Sequence, residues 1–269
     1  MSVAHAQLDP ARPALDPIAG LFARSRWSPT AISLHQTCPL KFAVRYALGE
    51  QEPANEALLI GGVVHEALAW TARLPRVDRQ AITDEQLADS VRRAWGDPAR
   101  RAVRAELFAG SRELEATAGL RAVAMVRRAW EGDHAQLTDA DPVLVEDFVV
   151  AVLPSGQRVA GRVDRVDPIT LPGGIKGLQI VDYKSGRPRV DEGGELARDP
   201  GAQGYAVACW QRWGRPVRVV HLYLGEGCER RVWDPEQDDI EAAAAALDAA
   251  IGQITGQMSY GPTPSPQLG

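Results

Sequence analysis

The segment VDYKSG, residues 181–186, closes an apolar run with a carboxylate and an ammonium two positions apart. With the period of two that a strand imposes, Asp182 and Lys184 project on the side of Leu178 and Ile180, and Val181 and Tyr183 on the other. An acid and an amine ending a buried strand are either an edge ion pair of little consequence or part of a catalytic set. The preceding segment, GRVDRV, carries Asp164, which antiparallel pairing would bring toward Asp182. Two carboxylates held close repel, and a hard cation such as Mg²⁺ relieves this by taking their oxygens while keeping positions for water and phosphate. Taken alone, Asp164 between Arg162 and Arg165 also reads as a solvated ion-pair residue.

Two further residues fit the same chemistry. In VLVEDFVVAVL, Glu146 shares its strand parity with Leu144, Phe148, Val150 and Val152, and a charged carboxylate on an apolar face requires a compensating metal or arginine. The alternative register turns Asp147 inward. His65, in GGVVHE, could donate a ring nitrogen to a metal or serve a structural role. Its neighbour Glu66 reads as a surface charge, and Gly61 and Gly62 mark a close backbone approach at the start of their helix.

The elements that must position these residues follow from period and caps. Ser28 before Pro29 predicts a helix toward Cys38, and Pro39 starts a second one. Val63, Ala67, Trp70 and Leu74 give one apolar helical face that leaves His65 aside. Further helices are expected over 83–131, the longest with Leu114, Ala118, Ala122, Met125 and Ala129 as its stripe. Three consecutive antiparallel strands come next, through VLVEDFVVAVL, RVAGRVDRV and GLQIVDYK. A helix over 196–213, the strands VRVVHLYL and ERRVW, and a last helix complete the order. That helix is expected to be capped by Asp234 with Pro235 at N1 and Gln237 at N3, and to bury Ile240, Leu247, Ile251 and Ile254. Residues 1–26 read as a flexible leader, 27–256 as a single domain (helical over 27–135, catalytic core over 140–256) and 257–269 as a tail.

Composition narrows the partners. The chain has 269 residues, 45% hydrophobic, with a formal net charge of -5, which excludes wholesale disorder and any global positive field. Arginines nevertheless concentrate in VRRAWGDPARRAVRAELFAGSR and RAVAMVRRAW, where local positive surface could track a phosphate backbone or simply face solvent. Trp70, Trp95 and Trp130 are candidates for base stacking, with core packing the simpler reading. Only Lys41, Lys176 and Lys184 are lysine among 30 basic residues. Three cysteines without a CxxC, no signal-like leader and no apolar span point to a cytoplasmic protein without a membrane partner. No Walker A segment occurs, so no motor is expected within this chain.

Together CPLKF at Cys38, GGVVHE at His65, Glu146, GRVDRV at Asp164 and VDYKSG at Asp182 and Lys184 resemble the RecB-type nucleases of the PD-(D/E)XK superfamily. Similar domains end the RecB and AddB helicase-nucleases and form stand-alone RecB-family exonucleases. The resemblance, from about residue 27 to 266, implies an α/β fold: a restriction-endonuclease-like core with a mixed central sheet flanked by helices and a helical N-terminal portion. It implies a Mg²⁺- or Mn²⁺-dependent DNA nuclease acting on ends or single strands in repair or recombination, with a helicase as possible partner. A catalytically inactive DNA-binding subunit and a CRISPR adaptation nuclease are the alternatives.

By matching positions, His65, Asp164, Asp182 and the Tyr183 carbonyl would hold the metal, Lys184 would orient water or stabilise charge, and Glu146 would hold a water ligand or a second metal. The family also tends to carry a Gln and a Tyr four apart on the following helix. Gln203 and Tyr205 stand in for them only two apart, about 200° around a helix. Many relatives bind a [4Fe-4S] cluster through a cysteine matching Cys38 and three near the C-terminus. The sequence ends at GPTPSPQLG, about where those three would begin, and Cys209 and Cys228 fall at core positions, so no cluster is expected. A variant without the cluster and a shortened chain both fit that pattern.

Overall fold

A computed structural model describes residues 26–46, 48–50, 53–188 and 194–256. The leader, except Arg26, and the tail lie outside the described residues. The helices are α1 (Pro29–Thr37), α2 (Pro39–Tyr46), α3 (Glu56–Arg73), α4 (Arg76–Gln80), α5 (Asp84–Trp95), α6 (Arg101–Phe108), α7 (Arg112–Asp139), α8 (Glu195–Arg198), α9 (Pro200–Trp213) and α10 (Gln237–Gly256). The strands are β1 (Leu144–Val152), β2 (Arg158–Thr170), β3 (Lys176–Lys184), β4 (Val217–Tyr223) and β5 (Glu229–Trp233). They form one mixed sheet in sequence order, antiparallel except for the β3–β4 pair. That parallel pair requires a crossover, which α8 and α9 supply.

Alternation along the strands divides the core into two layers. Leu178 and Ile180 of β3, with Val217 and Val219 of β4, pack against α1, α9 and α10. Val181, Tyr183, Val220 and Leu222 face the other way, against α3, α5 and α7. The expected side assignment of β3 therefore holds. Trp27, buried with Ile32 and Phe42, ties the N-terminal helices to the first layer.

The sheet splits at one place. The β2–β3 ladder runs from Thr170↔Lys176 only as far as Arg165↔Val181, while β1 stays paired with β2 to Val152↔Arg158 and β3 stays paired with β4 to Lys184↔Tyr223. Beyond the split, the outer edge of β2 takes Trp27 instead, with Trp27 N donating to Arg158 O at 2.8 Å and Ala160 N to Trp27 O at 2.8 Å. The two helical layers thus face one another through a fork.

Caps account for most element starts. The Ser28 hydroxyl accepts from Ala31 N at 3.1 Å, with Pro29 at N1. Thr83 and Gln86 form a capping box on α5. Asp199 accepts from Ala202 N at 2.8 Å, which starts α9 and splits the helix expected over 196–213 into two.

Three local expectations are corrected. Asp234 does not cap α10, because its carboxylate takes two Arg218 nitrogens at 2.6 and 3.0 Å, and the helix begins at Gln237. Leu114 is 59% exposed, so the buried stripe of α7 starts at Ala118. In β1, Val149 and Ala151 enter the core while Phe148, Val150 and Val152 are exposed, the reverse of the face assigned from alternation. The cause is Glu146 itself, whose φ of 51° breaks the period between Leu144, which touches the core, and Val149.

Candidate active site

The chemistry-bearing residues collect at the fork. Asp164 is the first β2 residue past the last β3 pairing, and its side chain replaces the missing ladder bond: Tyr183 N donates to Asp164 Oδ2 at 2.7 Å. Its other oxygen, Oδ1, lies 3.0 Å from His65 Nδ1. Glu146 of β1 stands opposite Asp164 and reaches His65 Nδ1 at 3.8 Å and Arg162 Nε at 3.3 Å. The left-handed backbone that breaks the strand period at Glu146 accompanies this arrangement, as strained residues often do at functional sites.

Glycines let the elements close in. A Cβ at Gly61 of α3 would lie 3.1 Å from the Ser185 hydroxyl, so its absence lets the helix carrying His65 approach the loop after β3. At Gly161 of β2 a Cβ would meet the Tyr205 ring at 2.7 Å, and the Tyr205 hydroxyl donates to Arg162 O at 3.0 Å. The close approach expected of Gly61 and Gly62 is thus found at Gly61.

His65, Glu146 and Asp164 each offer a ligand atom within 4.8 Å of the others, a donor set of one nitrogen and two carboxylates that suits a divalent cation. Asp182 is oriented differently. Its Oδ2 accepts from Lys184 Nζ at 2.7 Å and lies 3.4 Å from His221 Nε2. The groups therefore front two adjoining clefts. One of about 460 Å³ is lined by His65, Glu146, Asp164, Arg73, Arg100 and Arg162. The other, about 340 Å³, is lined by Asp182, Lys184 and Tyr205 with Thr30, Ser33 and Lys41.

Charge couples the two sides. Burial disfavours a protonated His65, yet the bonds to Asp164 and Glu146 and the charges of Asp164 and Asp182 push it up to about 10. Burial raises the Asp164 carboxyl, an effect the His65 bond opposes and the Asp182 charge reinforces. The contact with Asp164 thus favours a proton on the imidazole. Burial also opposes ionisation of Asp182, but Lys184 and His221 hold it below the usual carboxylate range. The partner effect appears at Lys184, raised by Asp182 against its own burial.

Not every expected residue reaches the site. Gln203 turns away and donates its amide to Ala197 O at 2.8 Å, whereas Tyr205 lines the Asp182 cleft, as their angular separation requires. The residue four before Tyr205 is Gly201, in the same cleft. Cys209 is buried in the α9 layer, and Cys228 packs against Gly132 on the opposite face of the sheet. Cys38 accepts from Lys41 N at 3.5 Å beside α2, so these three thiols do not assemble a cluster site.

Glu66 pairs with Arg100 at 2.7 Å. Many arginines singled out for DNA contact are engaged within the protein: Arg92 with Asp89 at 2.5 Å, Arg104 with Glu115 at 2.9 Å, Arg121 with Glu56 and Arg128 with backbone carbonyls. Trp95 stacks on Phe108, and Trp130 packs against the α3–α7 core, so core packing is the role these two fill. Trp70 carries the Arg93 guanidinium over its ring at 4.6 Å.

Sequence reasoning missed the support beneath the site. Arg165, fully buried, spans Asp167 at 2.9 Å, Asp133 and the Tyr183 hydroxyl. Arg230 extends the network to Asp133 at 3.3 Å and Gln179 at 2.8 Å. Strand parity places Arg165 beneath Tyr183, but nothing in the sequence identifies Asp133 on α7 as its partner.

The sequence model of the PD-(D/E)XK nuclease superfamily matches residues 26–267. No curated protein matches the chain. The crystal structure of a candidate exonuclease from Eubacterium rectale superposes with a TM-score of 0.51 at 13% identity, covering 94% of this chain and 88% of that one, which is a likeness of fold. SSO0001, at 11% identity over 79% of this chain and 83% of that one, has a TM-score of 0.29, too low to bear on the fold. Among the described residues no helix is long and apolar enough to cross a membrane. With the forked mixed sheet, the acidic and imidazole groups gathered in the fork and the family match over nearly the whole length, the chain belongs to the PD-(D/E)XK nuclease superfamily.

Proposed function

We propose that the protein is a divalent-metal-dependent deoxyribonuclease that hydrolyses phosphodiester bonds at DNA ends or in single strands, serving repair or recombination. The observation that carries this reading is the meeting of His65, Glu146 and Asp164 within 4.8 Å, beside the Asp182–Lys184 pair. An inactive scaffold has no use for buried like charges at the mouth of two clefts.

In this reading His65, Glu146 and Asp164 would hold a Mg²⁺ or Mn²⁺ ion, and the family resemblance would add Asp182 and the Tyr183 carbonyl as ligands. When bound, the ion supplies acidification of a water and polarisation of the phosphoryl oxygens. Lys184, kept charged by Asp182, offsets the negative charge that develops at phosphorus. Tyr205 lines the cleft from α9 and braces β2 through its hydroxyl bond to Arg162 O. The cleft lined by Thr30, Ser33 and Lys41 receives the strand on one side of the scissile bond, its hydroxyls and amine meeting phosphate oxygens.

Labelled single-stranded DNA incubated with Mg²⁺ is expected to be degraded by the wild type and spared in EDTA. Asp182→Ala and Lys184→Ala are expected to lose at least about a hundredfold in rate while keeping the wild-type circular dichroism spectrum. Equal rates in all three proteins would remove the proposal.

A further inference from the structure

His221 is a buried polar residue to which the reaction above gives no role. It lies on β4 as the parallel-ladder partner of Asp182, is 2% exposed and packs near the Tyr223 ring. Its Nε2 has no hydrogen-bond partner, yet it sits 3.4 Å from Asp182 Oδ2, the oxygen that also accepts from Lys184. Asp182, Lys184, Asp199 and Glu195 are charged groups near it, and Arg231 is its ladder partner on β5.

A buried nitrogen left unpaired is costly, and the arrangement makes sense only if a bond is available to it. Facing a carboxylate, the ring must carry a proton on Nε2, since a lone pair there would oppose the oxygen. The separation is long for a settled bond, as contacts in unloaded catalytic sites commonly are.

We infer that His221 is a positioning residue for Asp182: Nε2–H and Lys184 Nζ together hold Oδ2, which fixes the carboxylate rotamer and presents Oδ1 to the cation. The inference rests on the proposed nuclease reading for its purpose, but on the register and the unpaired nitrogen for its geometry. Outer groups that orient a metal-facing ligand typically change metal affinity or turnover 10- to 100-fold when removed, roughly the range expected here.

The test uses His221→Leu, which keeps volume without a donor, His221→Gln, whose amide nitrogen reaches about where Nε2 lies, and His221→Asn, whose amide falls short. Mn²⁺ affinity is read by water proton relaxation, kcat and KM on single-stranded DNA, and folding by thermal midpoint. The Leu variant is expected to bind Mn²⁺ about tenfold more weakly and to lose about tenfold or more in kcat with little change in KM, while Gln recovers most of both. Leu matching the wild type in both readouts, or Gln as impaired as Leu, would overturn the assignment. If Leu does not fold, Gln resembling wild type beside an impaired Asn supports the role, and equal behaviour of Gln and Asn refutes it. A wild type that binds Mn²⁺ but cuts nothing would sink the nuclease reading alone, because the Mn²⁺ affinities of the variants still report on Asp182.

Discussion

His65 holds a proton in the metal-free protein, and that proton must leave before Nδ1 can coordinate an ion. Its folded value of about 10 exceeds the ordinary 6.5, so the stability it contributes is complete below about pH 6.5 and is lost as pH rises through about 10. The EDTA-treated protein should therefore show a falling thermal midpoint between pH 7 and 10. Mn²⁺ affinity should rise over the same window, by up to about tenfold per pH unit for one displaced proton. A flat affinity profile would place the ion away from His65. At this scale much was legible. Spacing marked the Asp182–Lys184 pair and β3 parity gave its side, whereas His65 and Asp164, each ambiguous alone, were drawn together only by the family resemblance. His221 was not legible, because a histidine in an apolar strand becomes informative only once the β3–β4 register sets it beside Asp182. Glu146 was found for a mistaken reason: alternation put it on an inward apolar face, whereas its own left-handed backbone interrupts that alternation.

The elements are held in place by a buried ionic network that reaches the site from behind. Arg165 follows Asp164 in β2 and spans Asp133 of α7, Asp167 and the Tyr183 hydroxyl, so it joins the strand bearing Asp164, the strand bearing Asp182 and the long helix beneath them. Arg165→Met leaves Asp133 and Asp167 buried without their cation and should cost about 3–5 kcal/mol in urea unfolding. A loss under about 1 kcal/mol would show that Arg230 and solvent carry the two acids, since an exposed pair contributes no more than that. Element types were legible from period and caps, including Ser28–Pro29 and the three strands. The break at Asp199 and the start of α10 at Gln237 were not, because Asp199 prefers a cap that local pattern does not rank and Asp234 is taken by Arg218 across the β4–β5 pair.

At the scale of the whole molecule, the net charge of -5 gives no global positive field, and many arginines of the two basic stretches are paired with acids within the protein. Binding then depends on the few cations that line the two clefts. Lys41→Ala should weaken single-stranded DNA binding and lower the slope of log affinity against log salt by about 0.7, the single-strand value for one phosphate contact, with metal affinity unchanged. An unaltered slope would move the strand out of the cleft beside α1. The arginine-rich stretches looked like a nucleic-acid track in sequence because pairing with acids on neighbouring helices depends on tertiary placement.

The fork in the sheet also leaves β2 with a naked flank wherever β3 has parted from it. Among the described residues, the main chain of Trp27 pairs with that flank, through two backbone bonds next to the cleft beside α1. Unpaired strand margins recruit other chains. The short stretch before α1 is thus a guard against self-adhesion, and the same rift that makes room for chemistry is what obliges the protein to keep it.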